Sequence, residues 1–79
     1  MNLEHCHDVA NLVANNAPAD VREAVYAGIL RDVYQLSRDR IAQDMGVSYL
    51  AVRDWVRDWL AMPLSLRDKY TAAAKELAK

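Results

Sequence analysis

Apolar residues recur along the chain at intervals of three and four, which is the spacing of an amphipathic α-helix. The first such stretch ends in NNAPAD at residues 15–20, where Pro18 cannot continue a helix. One face of this first helix is apolar: Leu3, Cys6, Ala10, Val13 and Ala17. Such a face is expected to pack against another element or another chain.

A second helix is predicted to begin at Asp20, which with Glu23 has the spacing of a capping box, although Ser or Thr is the usual first member. Its apolar positions are Val21, Val25, Gly28, Ile29, Val33 and Leu36, and Tyr26, Leu30 and Tyr34 widen the apolar face. A helix with so wide an apolar face is expected at the centre of the fold.

Serine, glycine and proline mark the bounds of two further helices. Ser37 can cap a short third helix that runs to about Met45. Gly46 is predicted to end it, because glycine readily adopts the left-handed conformation found at helix ends. Ser48 can cap a fourth helix, which Pro63 is expected to end.

A fifth helix is predicted from Ser65, which with Asp68 again has capping-box spacing. Its apolar stripe comprises Leu66, Tyr70, Ala73 and Leu77. The chain contains only two Gly and two Pro, so we expect an all-α fold, a compact bundle of about five short helices. The expected parts of this single domain (1–79) are an N-terminal helical pair (2–36), the third and fourth helices (37–60) and a C-terminal helix (65–78).

Composition restricts the class of protein. Hydrophobic residues make up 53% of the 79 residues, which is enough for the core of one small domain. The single cysteine, Cys6, cannot form an internal disulfide, and this favours a reducing compartment. No apolar run approaches the ~20 residues of a membrane span, and no signal peptide is evident. We therefore expect a cytoplasmic protein without a membrane partner.

The third and fourth helices have the spacing of a known two-helix motif. Ala42 lies four residues before Gly46, and the apolar residues Val47, Val52 and Trp55 follow. Two helices that cross steeply need a small residue where they approach, a glycine at the turn and apolar residues on the inner side of the second helix. The stretch resembles the helix-turn-helix motif of small phage regulators of the Cro and CII type.

The resemblance implies a sequence-specific DNA-binding transcriptional regulator, such as a phage or prokaryotic repressor, whose second motif helix enters the major groove of double-stranded DNA. A single short recognition helix reads too few base pairs for useful specificity, so the resemblance also implies a homodimer. The apolar stripes of the first and fifth helices exceed what one small core needs. We expect at least one of them to lie in the subunit interface.

The fourth helix contains the unit Val-Arg-Asp-Trp twice, from Val52 to Trp59. At about 100° per residue, its apolar members form one continuous arc that is predicted to face the core. These members are Val52, Trp55, Val56, Trp59 and Leu60. Arg53 and Arg57 lie on the outward side of the helix, and Asp54 and Asp58 lie on the far flank.

By the same resemblance, the residues placed to contact DNA are Ser48, Tyr49, Leu50, Arg53, Asp54 and Arg57, with Arg38 and Arg40 close to the DNA backbone. Their chemistry suits this role, because arginine can bind guanine O6 and N7 and aspartate can accept a hydrogen bond from cytosine N4. A tyrosine hydroxyl can reach phosphate, and leucine can touch a thymine methyl group. Alternatively, the arginines and aspartates pair with one another on a solvated face.

Charge leaves a second class of function open. The net charge is −1; residues 1–36 carry two basic and five acidic side chains, and residues 37–79 carry eight basic and six acidic ones. A chain so nearly neutral is not a generally basic nucleic-acid binder. The alternative is a helix-turn-helix-shaped protein-interaction module, for example a phage inhibitor of a host protein complex, with a partner on the acidic N-terminal helices.

Signals for catalysis or metal binding are weak. In EHCH at 4–7, His5 and His7 lie about 200° apart on a helix and cannot share a metal ion. His5 and Asp8 have suitable spacing for one weak site, but no cluster elsewhere would complete it. The sequence has no glycine-rich phosphate loop and no serine nucleophile motif. We therefore expect no enzymatic activity, no cofactor and no metal.

Overall fold

Five α-helices form the computed structural model, which describes residues 3–78 and, within them, all side chains except those of Leu3 and Glu4. They are α1 (Leu3–Asn15), α2 (Arg22–Asp32), α3 (Arg38–Met45), α4 (Tyr49–Ala61) and α5 (Leu64–Leu77). A single 3-10 turn (Ala19–Val21) precedes α2, and no strand occurs among the described residues. The prediction of an all-α bundle is confirmed. Within residues 3–78, none of the helices has both the length and the apolar character of a membrane span.

The central position of α2 is the main feature of the packing. This helix contacts the four other α-helices, and most of its residues from Ala24 to Leu30 are buried. Its most extensive contact is with α4, where the Trp59 indole ring lies so near Gly28 that a Cβ atom there would overlap the ring. The indole nitrogen also donates a hydrogen bond to Asp32 Oδ2, at 2.8 Å. The predicted central helix is therefore confirmed, and a glycine is what allows α4 to pack against it.

Both ends of α3 and the start of α4 follow the sequence signals. Ser37 Oγ accepts a hydrogen bond from the Arg40 N–H at 3.1 Å, and Ser48 Oγ accepts one from the Ala51 N–H at 3.2 Å. Gly46 has φ 67°, in the left-handed region, and lies immediately after the end of α3. These three residues therefore have the capping roles that the sequence predicted.

The predicted caps of α2 and α5 are wrong. Asp20 lies inside the 3-10 turn, and α2 begins two residues later. Ser65 lies within the first turn of α5, whose N-cap is Pro63 without a side-chain hydrogen bond. The Pro63 carbonyl instead accepts the Leu66 and Arg67 N–H groups at 3.0 and 3.1 Å. Proline is already set in an extended conformation before the helix, so its own carbonyl begins the hydrogen-bond ladder.

The C-terminal end of α2 also differs from the prediction, because the helix stops at Asp32 and not at Leu36. Gln35 adopts φ 57°, and the Leu36 N–H then bonds back to the Leu30 carbonyl at 3.1 Å. This closure spans one residue more than the Schellman hydrogen bond and satisfies a carbonyl group in the last turn of the helix. The periodicity continues past the end of the helix because Val33 and Leu36 still pack against the core from the turn.

The buried face of α4 is narrower than the predicted arc. Val52, Val56 and Trp59 are fully buried, whereas Trp55 is only half-buried and Leu60 is 41% exposed. The three buried residues occupy the middle of the arc, and Trp55 and Leu60 lie at its two edges. The prediction that all five face the core is therefore wrong for Leu60, whereas Trp55 packs against the core without being enclosed by it.

The apolar stripes of α1 and α5 have different environments. The residues Cys6, Ala10, Val13 and Ala17 are buried within the chain's own core, and Leu3 lies outside the described side chains. On α5 the residue that is fully buried is Ala74, whereas Ala73 and Leu77 are exposed. The described residues of the α1 stripe are therefore already covered within the chain, whereas the outer part of the α5 stripe is free.

Candidate nucleic-acid interface

The connection between α3 and α4 determines which face of α4 points outward. The Val47 N–H bonds to the Ala42 carbonyl at 3.1 Å, and the Gly46 N–H bonds to the Gln43 carbonyl at 3.3 Å. Val47 packs against the core and draws the turn inward. With Val52 buried one turn into α4, the opposite side of the helix is left in solvent.

The outward face of α4 carries both polar and apolar side chains. Tyr49 and Leu50 are 43% and 56% exposed, and the side chains of Arg53 and Arg57 are 54% and 69% exposed. The sequence placed these four residues on the outward side, and that placement is confirmed. Together they form a continuous surface from the first turn of α4 to its third, which we call the α4 face.

Asp54 lies between the two arginines of the α4 face. Its Oδ1 atom is 3.7 Å from Arg53 Nη2 and 3.4 Å from Arg57 Nη1, and Arg57 Nε is 3.8 Å from Asp58 Oδ1. Exposed ion pairs of this kind contribute about 0–1 kcal/mol each, so a competing anion can displace them. In the free chain the two arginines are thus paired with aspartates along the helix, as the alternative interpretation of the sequence proposes. These ion pairs are weak.

Ser48 and the two arginines of α3 have other contacts. The Ser48 hydroxyl accepts the Ala51 N–H as a cap and keeps its own proton for donation. Arg40 Nε donates to Asp44 Oδ1 at 3.0 Å, which directs its guanidinium along α3. Arg38 is half-buried, and its Nε is shielded from solvent without an acceptor among the described residues. Contacts of these arginines with a DNA backbone stay predictions.

A second polar cluster was not predicted from the sequence. His7 Nδ1 is hydrogen-bonded to the Tyr26 hydroxyl, and His7 Nε2 lies 3.2 Å from Asp44 Oδ2. Arg40 holds the other oxygen of Asp44. The three bonded residues belong to α1, α2 and α3 and are 19 and 37 positions apart, so no local pattern could reveal them. We call His7, Tyr26 and Asp44 the histidine cluster.

Two pKa values in the histidine cluster are shifted in opposite directions, that of Asp44 downward and that of Tyr26 upward. The hydrogen bond from His7, helped by Arg40, holds the pKa of Asp44 below its ordinary value against the opposing effect of burial. Burial raises the pKa of Tyr26, and the negative charges of Asp44 and Asp8 raise it further. At neutral pH the carboxyl group is therefore ionised and the phenol is protonated.

The cluster borders a surface groove of about 500 Å³ between α1 and α2. Its lining residues are His7, Asp8, Asn11, Ala14, Arg22, Glu23, Tyr26 and Met45. Among the described residues, no group of three His, Cys, Asp or Glu side chains is arranged to hold a metal ion. His5, which the sequence pairs with Asp8, is exposed on α1.

Comparisons with known proteins identified no relative of this chain. The chain matched no protein-family model, no curated protein and no solved structure. Its function must therefore be inferred from the α4 face, the groove and the surfaces around them.

Proposed function

We propose that the chain is a sequence-specific DNA-binding regulator that inserts α4 into the major groove and acts as a homodimer. One observation carries the proposal: α4 is anchored by a fully buried face and presents two exposed arginines, a tyrosine and a leucine on the other. A recognition helix needs this division, because its base contacts depend on a rigid support.

Each side chain of the α4 face has a partner available on DNA. Arg53, in the second turn, can bind guanine O6 and N7 with two hydrogen bonds once it leaves Asp54. Leu50 can contact a thymine methyl group, and the Tyr49 hydroxyl can donate to a phosphate oxygen. Arg57 is the more exposed arginine and is suited to phosphate.

The charge balance of α4 predicts the character of the binding. The helix carries two arginines and two aspartates, so phosphate attraction alone is small. Asp54 and Asp58 repel phosphate, and this repulsion is offset only where a base donates a hydrogen bond to the carboxylate. We therefore expect weak non-specific binding, a shallow dependence on salt, and affinity that depends on the right base sequence.

A homodimer requires a free surface, and α5 supplies a candidate. Ala73 and Leu77 are exposed beside a small groove of about 210 Å³ between α1 and α5, which Val13, Asn16 and Lys69 also line. Cys6, Ala10, Val13 and Ala17 of the α1 stripe are already buried within the chain and offer little surface to a second copy. The exposed end of α5 is therefore our proposed subunit contact.

A second candidate function has its own support. Leu50, Leu60 and Leu64 are exposed on and just after α4, and the arginines there are already paired with aspartates. Exposed large apolar side chains favour contact with another protein over contact with phosphate. The α4 face could thus belong to a protein-interaction module.

The experiment that tests the proposal is selection of duplexes from a random pool at ~100 mM salt, followed by sequencing of the retained DNA. The regulator predicts enrichment of a palindrome with half-sites about one helical turn apart. Arg53→Ala should relax the preference at one base position of each half-site, whereas Lys75→Ala on α5 removes the same charge elsewhere and should retain the full palindrome. No enrichment by folded protein, at low salt as well, would favour the protein-interaction module.

A further inference from the structure

The histidine cluster lies at a groove that the proposed DNA-binding surface does not use. None of the residues lining the groove belongs to α4, and both His7 and Tyr26 line it directly. Its volume of about 500 Å³ is within the range of small-molecule sites, about 300–1,000 Å³. The groove therefore combines space for a small molecule with a hydroxyl that is hydrogen-bonded to an imidazole.

The partners of His7 determine where its proton lies. An ionised carboxylate can only accept, so the contact with Asp44 requires a hydrogen on His7 Nε2. In the neutral ring Nδ1 then carries the lone pair and accepts the hydrogen bond from the Tyr26 hydroxyl. Arg40 fixes Asp44 from its other side. The order hydroxyl, imidazole, carboxylate is that of an activated nucleophile.

We propose that Tyr26 is a covalent acyl acceptor, with His7 as its general base and Asp44 as the residue that positions His7. The substrate class is a small, activated acyl ester or thioester that fits the groove. The product is an O-acyl ester of Tyr26.

The transfer balances as follows. Tyr26 Oη attacks the acyl carbonyl carbon and its proton passes to His7 Nδ1, giving a tetrahedral intermediate with a negative oxygen. The bond from carbon to the leaving oxygen or sulfur then breaks, and His7 returns the proton to the leaving group. Asp44 stays ionised and stabilises the doubly protonated imidazole between the two steps.

Other residues of the groove fit this chemistry. Arg22 and Asn11 line it and carry N–H donors, which can stabilise a negative oxygen in the intermediate. Asp8 and Glu23 line it as well and disfavour anionic acyl groups, so the acyl group is expected to be neutral. The raised pKa of Tyr26, due first to its burial, keeps the phenol protonated at neutral pH, so reaction requires the base.

The test uses p-nitrophenyl acetate on the full chain, with the acetylated tyrosines quantified over time by peptide mass spectrometry. Tyr49 is the internal control, because it is more exposed than Tyr26 and has no hydrogen-bonded histidine. General bases accelerate such reactions by about 10²–10⁴-fold, so Tyr26 should react at least about tenfold faster than Tyr49. An equal or faster reaction at Tyr49 in the unaltered protein would overturn the proposal.

Two variants separate chemistry from support of the fold. His7→Gln should remove the excess rate at Tyr26 and leave Tyr49 unchanged, with circular dichroism confirming that the helices persist. Asp44→Asn should alter the pH profile of acetylation at Tyr26 but not at Tyr49, because it changes how the imidazole holds its protons. If Tyr26 reacts at the same rate and with the same pH profile in both folded variants, the histidine cluster is purely structural.

Discussion

At the scale of single residues, the two tryptophans of α4 differ in their contribution to stability. Trp59 is fully buried, lies on Gly28 and bonds to Asp32, whereas Trp55 is half-buried at the edge of the core. Trp59→Ala should lower the free energy of unfolding by about 3–5 kcal/mol, and Trp55→Ala by less than about half of that. Urea unfolding followed by circular dichroism measures both; equal losses would contradict this assignment.

Asp44 should make the protein sensitive to acid. Its pKa is lowered in the folded chain, first by the His7 hydrogen bond, from an ordinary value of 3.8. A lowered folded pKa means that the stabilisation is complete above the unfolded pKa and is lost as pH falls through the folded one. Asp44→Asn should therefore destabilise the protein near neutral pH. On acidification below pH about 4, the melting temperature of this variant should fall less than that of the parent. Asp39→Asn, also on α3, is the matched control. An unchanged acid profile in Asp44→Asn would argue against the cluster.

At the scale of elements, Gly28 decides how closely α2 and α4 pack. Alanine is favoured over glycine in a helix by about 1 kcal/mol, but a Cβ atom here would overlap the Trp59 ring. Overpacking costs about 1–3 kcal/mol and should win, so Gly28→Ala should be net destabilising in a thermal melt. In Gly46→Ala, nothing lies within 4 Å of the added atom, and only the left-handed φ is strained, at about 1–2 kcal/mol. A higher melting temperature for Gly28→Ala than for the parent would show that α2 and α4 can move apart to accommodate the added atom.

Substitutions on the α4 face should change DNA binding without changing the stability of the fold. If Arg53 reads a base, Arg53→Ala weakens specific binding by about 1–3 kcal/mol per site and relaxes one base position. If Arg57 contacts phosphate, Arg57→Ala weakens all sequences alike and reduces the salt slope by about one. Both side chains lie outside the core, so melting temperatures should stay near that of the parent. Titrations at several salt concentrations measure these effects, and identical behaviour of the two variants would contradict the assigned roles.

What the sequence predicts at this scale depends on how local each signal is. Ser37, Gly46 and Ser48 act on atoms within four residues of themselves, and their roles are predicted correctly. Asp20 and Ser65 have similar local spacing, but the Pro18 carbonyl begins a 3-10 turn that contains Asp20, and the Pro63 carbonyl begins α5.

Partners distant in sequence are beyond such patterns. The histidine cluster joins three helices, and its members have no common periodicity. The VRDW repeat shows a related limit. Residues four apart on a helix differ by about 40° in direction, so the second copy of the unit is not equivalent to the first. Trp59 therefore reaches the core and Trp55 remains at its edge.

At the scale of the whole molecule, the prediction concerns oligomeric state. Leu77 is exposed at the α1–α5 groove, and a charge there should oppose association of two copies. Leu77→Asp should weaken the dimer at least about tenfold in sedimentation equilibrium at ~100 μM protein. Leu64→Asp, at the other end of α5, introduces the same charge outside the groove and should not. Monomer alone in the parent would remove the dimer and leave DNA recognition to a single α4.

The unequal environments of the two tryptophans also make the protein its own optical probe. Indole fluorescence responds to the polarity around the ring, and Trp59 is sealed in the core while Trp55 meets solvent one turn away on the same helix. In Trp55→Phe the remaining emission would report unfolding of the core. In Trp59→Phe, if it folds, the emission would report the solvent-facing edge of the core, on the flank of α4 that lies away from the α4 face. One helix thus carries an internal and a peripheral sensor, and no added dye is needed to tell loosening at the edge of the core from loss of the whole structure.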